Sequence, residues 1–294
     1  MNNFENKSVS DVRNETGYFY GEHKKRLFYQ SWKVKDPEGV AFITHGLSEN
    51  TDRYDRLAYQ LNRDRWSVYA WDLRGHGRSS GLRGYVRKFR LYERDMVRFL
   101  DFVLTREQNL PFILFGHSLG ALVIARGLLH EEDIISSADG ICLASPAFGL
   151  SINLSLFKLT MSYLTNTVFP WWAYHNKILS FHLSRDPYFL NLIEQDRFRH
   201  NRVAPEIYLT VFKNPKMLCV PQKISSRLLI QVAGNDVIVD NRVAKHYFEC
   251  VKSSRPKKFI SYSASLHQMY EDFGNERIIE DFKLFMRPIL HGES

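Results

Sequence analysis

A chain of 294 residues is long enough for one large domain, or for a domain that carries an insertion. Its 44% apolar and 24% charged residues, with 16 Gly and 10 Pro, exclude disordered and collagen-like classes. The net charge of +8 is scattered, densest at Lys24-Lys25-Arg26 and Lys257-Lys258; no nucleic-acid-binding motif accompanies it, so no nucleic-acid partner is expected.

From the N-terminus, Met1 to Asp11 is polar and lacks the apolar run of a secretory signal. No stretch approaches the ~20 apolar residues of a transmembrane helix. Short runs rich in Val, Ile, Phe and Tyr then alternate with longer helical patterns, which predicts an α/β sheet. Strands are predicted at 17–22, 26–32, 40–44, 67–71, 111–115, 140–144, 227–232 and 258–262. Helices are predicted at 54–63, 91–105, 119–130, 242–251 and 277–286. The alternation breaks once, between Phe148 and Gln222, in a segment rich in aromatics and Leu. A structureless loop of that length is improbable. Residues 1–147 and 223–294 therefore read as two parts of one core, with 148–222 as an inserted cap. Cys142, Cys219 and Cys250 are odd in number and fit no metal or redox spacing; buried free thiols and a cytoplasmic location are expected.

Gly116-His117-Ser118-Leu119-Gly120 fits G-x-S-x-G, where a sharp strand-to-helix turn lifts a serine hydroxyl clear of a sheet. An incidental Ser in a Gly-rich turn gives the same pattern, but here a buried strand precedes it and an amphipathic helix is predicted after it. A nucleophile in this setting needs an acid and then a base later in the chain. His130 ends a predicted helix, His246 lies inside one, His291 is in the tail, and His175, His182 and His200 belong to the cap. His267 alone stands in a loop just past a predicted core strand, and is the expected base. His117 should point into the core. Asp236, in Ala233-Gly234-Asn235-Asp236 at a strand end, is the expected orienting acid, with Asp240 as the alternative; Asp186 and Asp196 fall in the cap. The backbone N–H groups of Leu119 and of Leu47, after Thr44-His45-Gly46, are the expected oxyanion donors.

His45-Gly46, Glu49, Arg53 and Tyr54, then Asp72 with Gly75-His76-Gly77-Arg78-Ser79, then the Ser118 motif, together resemble monoglyceride lipases and bacterial lysophospholipases. The likeness continues through Ser145-Pro146-Ala147, Gly234-Asn235-Asp236 and Leu266-His267. The resemblance implies an α/β-hydrolase fold: a mostly parallel eight-stranded sheet with helices on both faces and a helical cap over the active site. It also implies no cofactor and no metal, and a triad of Ser118, Asp236 and His267, which favours Asp236 over Asp240. Its oxyanion donors match Leu47 and Leu119. Glu49 and Arg53 match residues near the polar head of the substrate, although a Glu–Arg pair shaping the loop would account for both equally well. Ser48 and Ala121 stand where the family often has Gly.

Residues 148–222 hold eight Lys/Arg against four Asp/Glu, half of the net charge. Ser151, Ser155, Lys158, Ser162 and Thr165 mark a weakly polar stripe on a helix otherwise apolar at Ile152, Leu154, Leu156, Phe157, Leu159, Met161 and Leu164. Such a helix is buried, or faces an apolar ligand or a membrane. The start of this segment could also be a short strand. Pro170 should end the helix, and Trp171-Trp172 after it suit a bilayer interface or pack the cap onto the core. The expected activity is serine-dependent hydrolysis of a carboxylic ester in a single-chain acyl lipid, lysophospholipid ahead of monoacylglycerol. A general carboxylesterase, peptidase or thioesterase is the enzymatic rival, and a non-catalytic ligand-binding protein is the rival of another class. The cap would supply peripheral contact with a membrane or micelle surface.

Overall fold

In a computed structural model of the chain, residues 12–130, 133–151, 156–176, 178–218 and 222–292 are described. Residues 1–11, Ile152, Leu154, Ser155 and Cys219, and the side chains of Leu156, Phe157 and Lys158, lie outside them. The strands begin with β1 (Arg13–Tyr20), β2 (Arg26–Lys33), β3 (Gly39–Thr44), β4 (Trp66–Trp71), β5 (Phe112–His117) and β6 (Gly140–Ala144). After them come β7 (Tyr174–His175), β8 (Arg202–Val203), β9 (Gln222–Ile224), β10 (Arg227–Ala233), β11 (Val251–Ser253) and β12 (Lys257–Tyr262). The helices are α1 (Asp55–Asn62), α2 (Arg90–Leu104), α3 (Leu119–Leu129), α4 (Asp133–Ser136) and α5 (Leu156–Val168). They continue with α6 (Pro187–Gln195), α7 (Pro205–Leu218), α8 (Asn241–Cys250) and α9 (Asn275–Leu290).

Eight strands form one sheet in the order β1-β2-β4-β3-β5-β6-β10-β12. The β1/β2 and β2/β4 pairs are antiparallel and all the others parallel. The central strands are buried along their whole length, as apolar runs covered on both faces must be. Alternate residues serve two cores. Val40, Phe42 and Leu114 join α2, α3 and α8 on one face; Ala41, Ile43, Ile113 and Phe115 join α1 and α9 on the other. From β3 the chain crosses to β4 on one side, and from β5 it crosses to β6 on the other. A crevice opens beyond the carboxyl ends of strands whose connections diverge in this way. That geometry places the loop after β3 and the turn after β5 side by side.

Several expectations are corrected. Strand β1 begins four residues before the predicted position, because its whole length pairs with β2. Strand β12 is a half-exposed sheet edge, not a core strand. Helix α3 is buried from Leu119 to Leu128, not amphipathic, because β5, α2, α4 and α7 all pack around it. Of the described thiols, Cys142 is buried but Cys250 is only partly so, and both are free.

Among the described residues, 148–222 adds no strand to the large sheet. Helix α5 stops at Val168, two residues before Pro170, whose ring bars helical geometry in the residue preceding it. Helix α6 starts with Asp186 accepting from the Tyr188 N–H and with Pro187 in its first turn. No helix among the described residues is long and apolar enough to cross a membrane.

Helix α5 reverses the usual distribution of polarity. Ser162 is buried and Asn166 donates to Glu206 of α7 at 3.0 Å, while Leu164, Val168, Phe169, Trp171 and Trp172 are all about half exposed or more. The Trp pair does not pack the segment onto the core: its exposures are 56% and 62%.

Candidate active site

The turn from β5 to α3 holds Ser118 at φ 49°, in the left-handed region that non-glycine residues avoid. Such strain costs about 1–3 kcal/mol and persists only where the surroundings enforce it. The turn is so tight that a Cβ at Gly120 would lie 2.0 Å from the Thr44 carbonyl oxygen, and one at Gly116 would lie 2.6 Å from the Ala121 nitrogen. Glycine is therefore required at both flanks of the motif.

The structure brings Ser118, His267 and Asp236 together from three separate loops. The Ser118 hydroxyl lies 3.0 Å from His267 Nε2, and His267 Nδ1 lies 2.7 Å from Asp236 Oδ2. The other Asp236 oxygen accepts from the N–H groups of Ile238 and Val239 at 2.9 and 3.1 Å. Burial would raise the pKa of this carboxyl, but His267 and those two N–H groups more than offset it and hold it below the usual range. Asp240 is elsewhere. It caps α8 and forms a bidentate pair with Arg242, and has no bond to His267. The imidazole is thus oriented at one nitrogen and meets a hydroxyl at the other, which is the arrangement that proton abstraction from serine requires.

Leu119 opens α3, so its N–H has no partner within the helix. The Leu47 N–H finds no acceptor among the described residues. Both residues line the same cavity as Ser118. Ser48 has φ 65°, which explains why glycine suits that position in similar sequences.

Glu49 and Arg53 also border the cavity, but not as a pair. Both Glu49 oxygens are occupied: one accepts from the Gly46 N–H (2.9 Å) and the Tyr54 hydroxyl (2.7 Å). The other accepts from Gln268 Nε2 and meets His117 Nδ1, each at 2.9 Å. Arg53 pairs instead with Asp196, at 3.3 Å. The Glu–Arg pair considered from sequence is absent because each residue has a better-placed partner. His117 is buried as expected, and its Nε2 reaches the His267 carbonyl oxygen at 3.2 Å.

The cavity measures about 380 Å³. Apolar side chains, among them Leu150, Val203, Ile207, Val211 and Val239, make most of its wall. Arg199, His200 and Asn176 add polar groups that sequence reasoning had not assigned. Glu49 is the sole carboxylate among the described lining residues.

A profile of the family described as serine aminopeptidase, S33 matches residues 35–273, well over half of the chain. The chain belongs to this family. A phospholipase of Bacillus subtilis, YtpA, is 25% identical to this S33-family chain over 257 residues, covering 87% of the chain and 97% of that protein. Mouse monoglyceride lipase is 32% identical over 146 residues, or 49% of the chain. The chain spans only 47% of the mouse protein's length, and 27% of an uncharacterized abhydrolase domain-containing protein from Dictyostelium discoideum. Among solved structures, a soluble variant of Saccharomyces cerevisiae monoglyceride lipase, in complex with a substrate analog, superposes with a TM-score of 0.84. It does so over 96% of this chain and 98% of that one, at 15% identity. The shared architecture is the α/β-hydrolase fold.

Proposed function

We propose that the chain is a carboxylic ester hydrolase that releases a fatty acid from a single-chain acyl lipid, with Ser118, His267 and Asp236 as its triad. The observation that carries this reading is the hydrogen-bonded line from Asp236 through His267 to Ser118, set in the wall of a mostly apolar cavity. Ser118 attacks the ester carbonyl as His267 takes its proton, and Asp236 holds the imidazole tautomer and stabilises the imidazolium. The N–H groups of Leu47 and Leu119 receive the oxyanion. His267 then protonates the leaving alcohol and activates the water that frees the acid. An aminopeptidase would need a carboxylate for the substrate's ammonium group, and Glu49 already has four hydrogen-bond partners. A binding protein would have no use for a strained serine aligned on an imidazole.

For the head group, a lysophospholipid is favoured. Glu49 is a lone carboxylate there and both its oxygens are occupied, while Arg53 and Arg199 both border the cavity. The eight-to-four excess of basic residues in 148–222 adds attraction at longer range. The YtpA relative supports a phospholipid head. The motifs shared with monoglyceride lipases support monoacylglycerol as the second reading. On an anionic lysophospholipid, kcat/KM should fall as salt rises, since screening at ~0.15 M already limits exposed charges to about 8 Å. A salt-insensitive rate, with faster turnover of monoacylglycerol of the same chain length, would reverse the choice of head group.

The 148–222 segment is proposed as a cap that rests on a membrane or micelle surface through α5, Trp171 and Trp172. Exposed amphipathic rings beside an exposed apolar helix face support this, and the free thiols support a cytoplasmic site. Replacing both Trp by Ala should cost about tenfold or more on long-chain micelles, since two rings each contribute on the order of 1 kcal/mol at an interface. A short-chain soluble ester should be turned over as before, with unchanged thermal stability. Equal loss on both substrates would show that the pair serves only the fold.

A further inference from the structure

Among the buried ionisable groups that the proposed chemistry leaves unused, Glu49 (5% exposed) and His117 (4%) lie against the site itself. Their contacts join three segments that must stay in register for the reaction. His117 is covalently next to Ser118. Glu49 accepts from the N–H of Gly46, the residue before the oxyanion donor Leu47. On the base side, Gln268 donates to Glu49, and His117 Nε2 meets the carbonyl of His267. Nucleophile, oxyanion loop and base therefore converge on a single carboxylate–imidazole contact.

The partners fix the protons. His117 Nδ1 faces a Glu49 oxygen at 2.9 Å and Nε2 faces a peptide carbonyl at 3.2 Å. A neutral imidazole carries one N–H, so it can satisfy only one of these acceptors and would turn a lone pair on the other. Glu49 does not hold that proton as an acid: it accepts from the Gly46 N–H, the Tyr54 hydroxyl and Gln268, and although burial raises its carboxyl, His117 and Arg53 hold it well below the usual range. An ionised carboxylate and a doubly protonated ring satisfy every contact. Removing the proton would leave a buried acceptor facing an acceptor, which is unfavourable where no water can intervene.

We infer that Glu49 and a doubly protonated His117 form a positioning pair, which holds the oxyanion loop and the base loop in register with Ser118. The inference rests on the hydrolase reading above. The pair acts through Leu47 and His267 and touches no reacting atom. It also predicts a loss of activity at alkaline pH, where a triad alone would level off once its base is neutral.

Other groups around the pair could titrate and must be separated from it. His45 is held below its usual range by burial, despite the pull of Asp72 and Glu49. Tyr54 is pushed well above its own by burial and by Glu49. Asp236 is held low, and Arg53 is paired with Asp196. Glu271, which burial pushes well above the carboxylate range and which lies close enough to act on Glu49, needs a control. His117 is itself held above its usual range: burial opposes the charge, but Glu49 and the His267 carbonyl outweigh it.

The decisive measurement is kcat/KM of the wild-type chain against pH on a soluble short-chain p-nitrophenyl ester, with ¹⁵N spectra of the histidine rings. We expect an alkaline limb, and at neutral pH a His117 ring protonated at both nitrogens. The limb should persist in Glu271→Gln and vanish in Glu49→Gln. That amide can pair with a neutral His117, and kcat should fall about tenfold or more with KM within about threefold. A wild-type plateau up to pH of about 10, or a His117 ring with one bare nitrogen at neutral pH, would overturn the pair. If Glu49→Gln fails to fold, those two wild-type measurements still decide. A wild-type chain with no esterase activity and no phosphonate labelling would sink the hydrolase reading instead, and the ring spectrum would still test the protonation of His117.

Discussion

Ser118→Ala is expected to abolish ester hydrolysis and all labelling by a fluorophosphonate probe, with a loss in kcat on the order of 10⁶. The size follows from the geometry. The Ser118 hydroxyl is aligned on His267 Nε2 at 3.0 Å, and its backbone is forced to φ 49° to present it. No other serine is hydrogen-bonded to the His267 ring among the described residues. Alanine keeps the Cβ and the strained turn, so thermal stability should change little. What remains would be the contribution of the oxyanion donors and of substrate binding. Intact-mass detection of the phosphonate adduct on wild type and variant checks the assignment. Labelling that survives at another serine would show that the nucleophile has been misidentified.

Asp236→Asn should be the next most damaging change, about 10⁴ in kcat, because the amide lets His267 take the wrong tautomer. Asp236 Oδ1 accepts two backbone N–H groups, so an asparagine oxygen can replace it there. That would turn the new NH₂ group toward His267 Nδ1, which would then have to accept, leaving the proton on Nε2 where the serine needs a base. Asp240→Asn is the control. Its carboxylate pairs with the exposed Arg242 and caps α8, a duty asparagine performs well, so kcat should change by less than about threefold. Kinetics of both variants on one soluble ester would decide, and a larger loss at Asp240 would refute the assignment of Asp236.

Where the reading from sequence succeeded and failed follows from the range of the interactions involved. Strands such as β3 and β5 were legible because strands covered on both faces must be apolar throughout. The Gly116–Gly120 turn was legible because its sterics are local. From sequence Asp236 was the expected acid and Asp240 the alternative, and the 2.7 Å contact with His267 is made by Asp236. Helices α6 and α7 were missed although Asp186-Pro187 is a local start signal for the first, because aromatics and Leu obscured the periodicity around it. Glu49 and Arg53 are four residues apart, which suggested a local pair. Their actual partners, His117 and Asp196, lie 68 and 143 residues away. No local pattern carries such information. The same holds for Arg199 and His200, which reach the cavity only once 148–222 has folded against the core.

Helix α5 has a consequence for how rates should scale. Leu164, Val168, Phe169, Trp171 and Trp172 are presented to solvent together. A surface of this kind favours adsorption, because covering it releases the water it would otherwise order. If the substrate resides in that same adsorbing phase, encounter occurs in two dimensions. Velocity would then follow the area of lipid offered and the mole fraction of substrate within it. Diluting the substrate with an inert amphiphile at constant total lipid would slow the reaction even though its bulk concentration were unchanged.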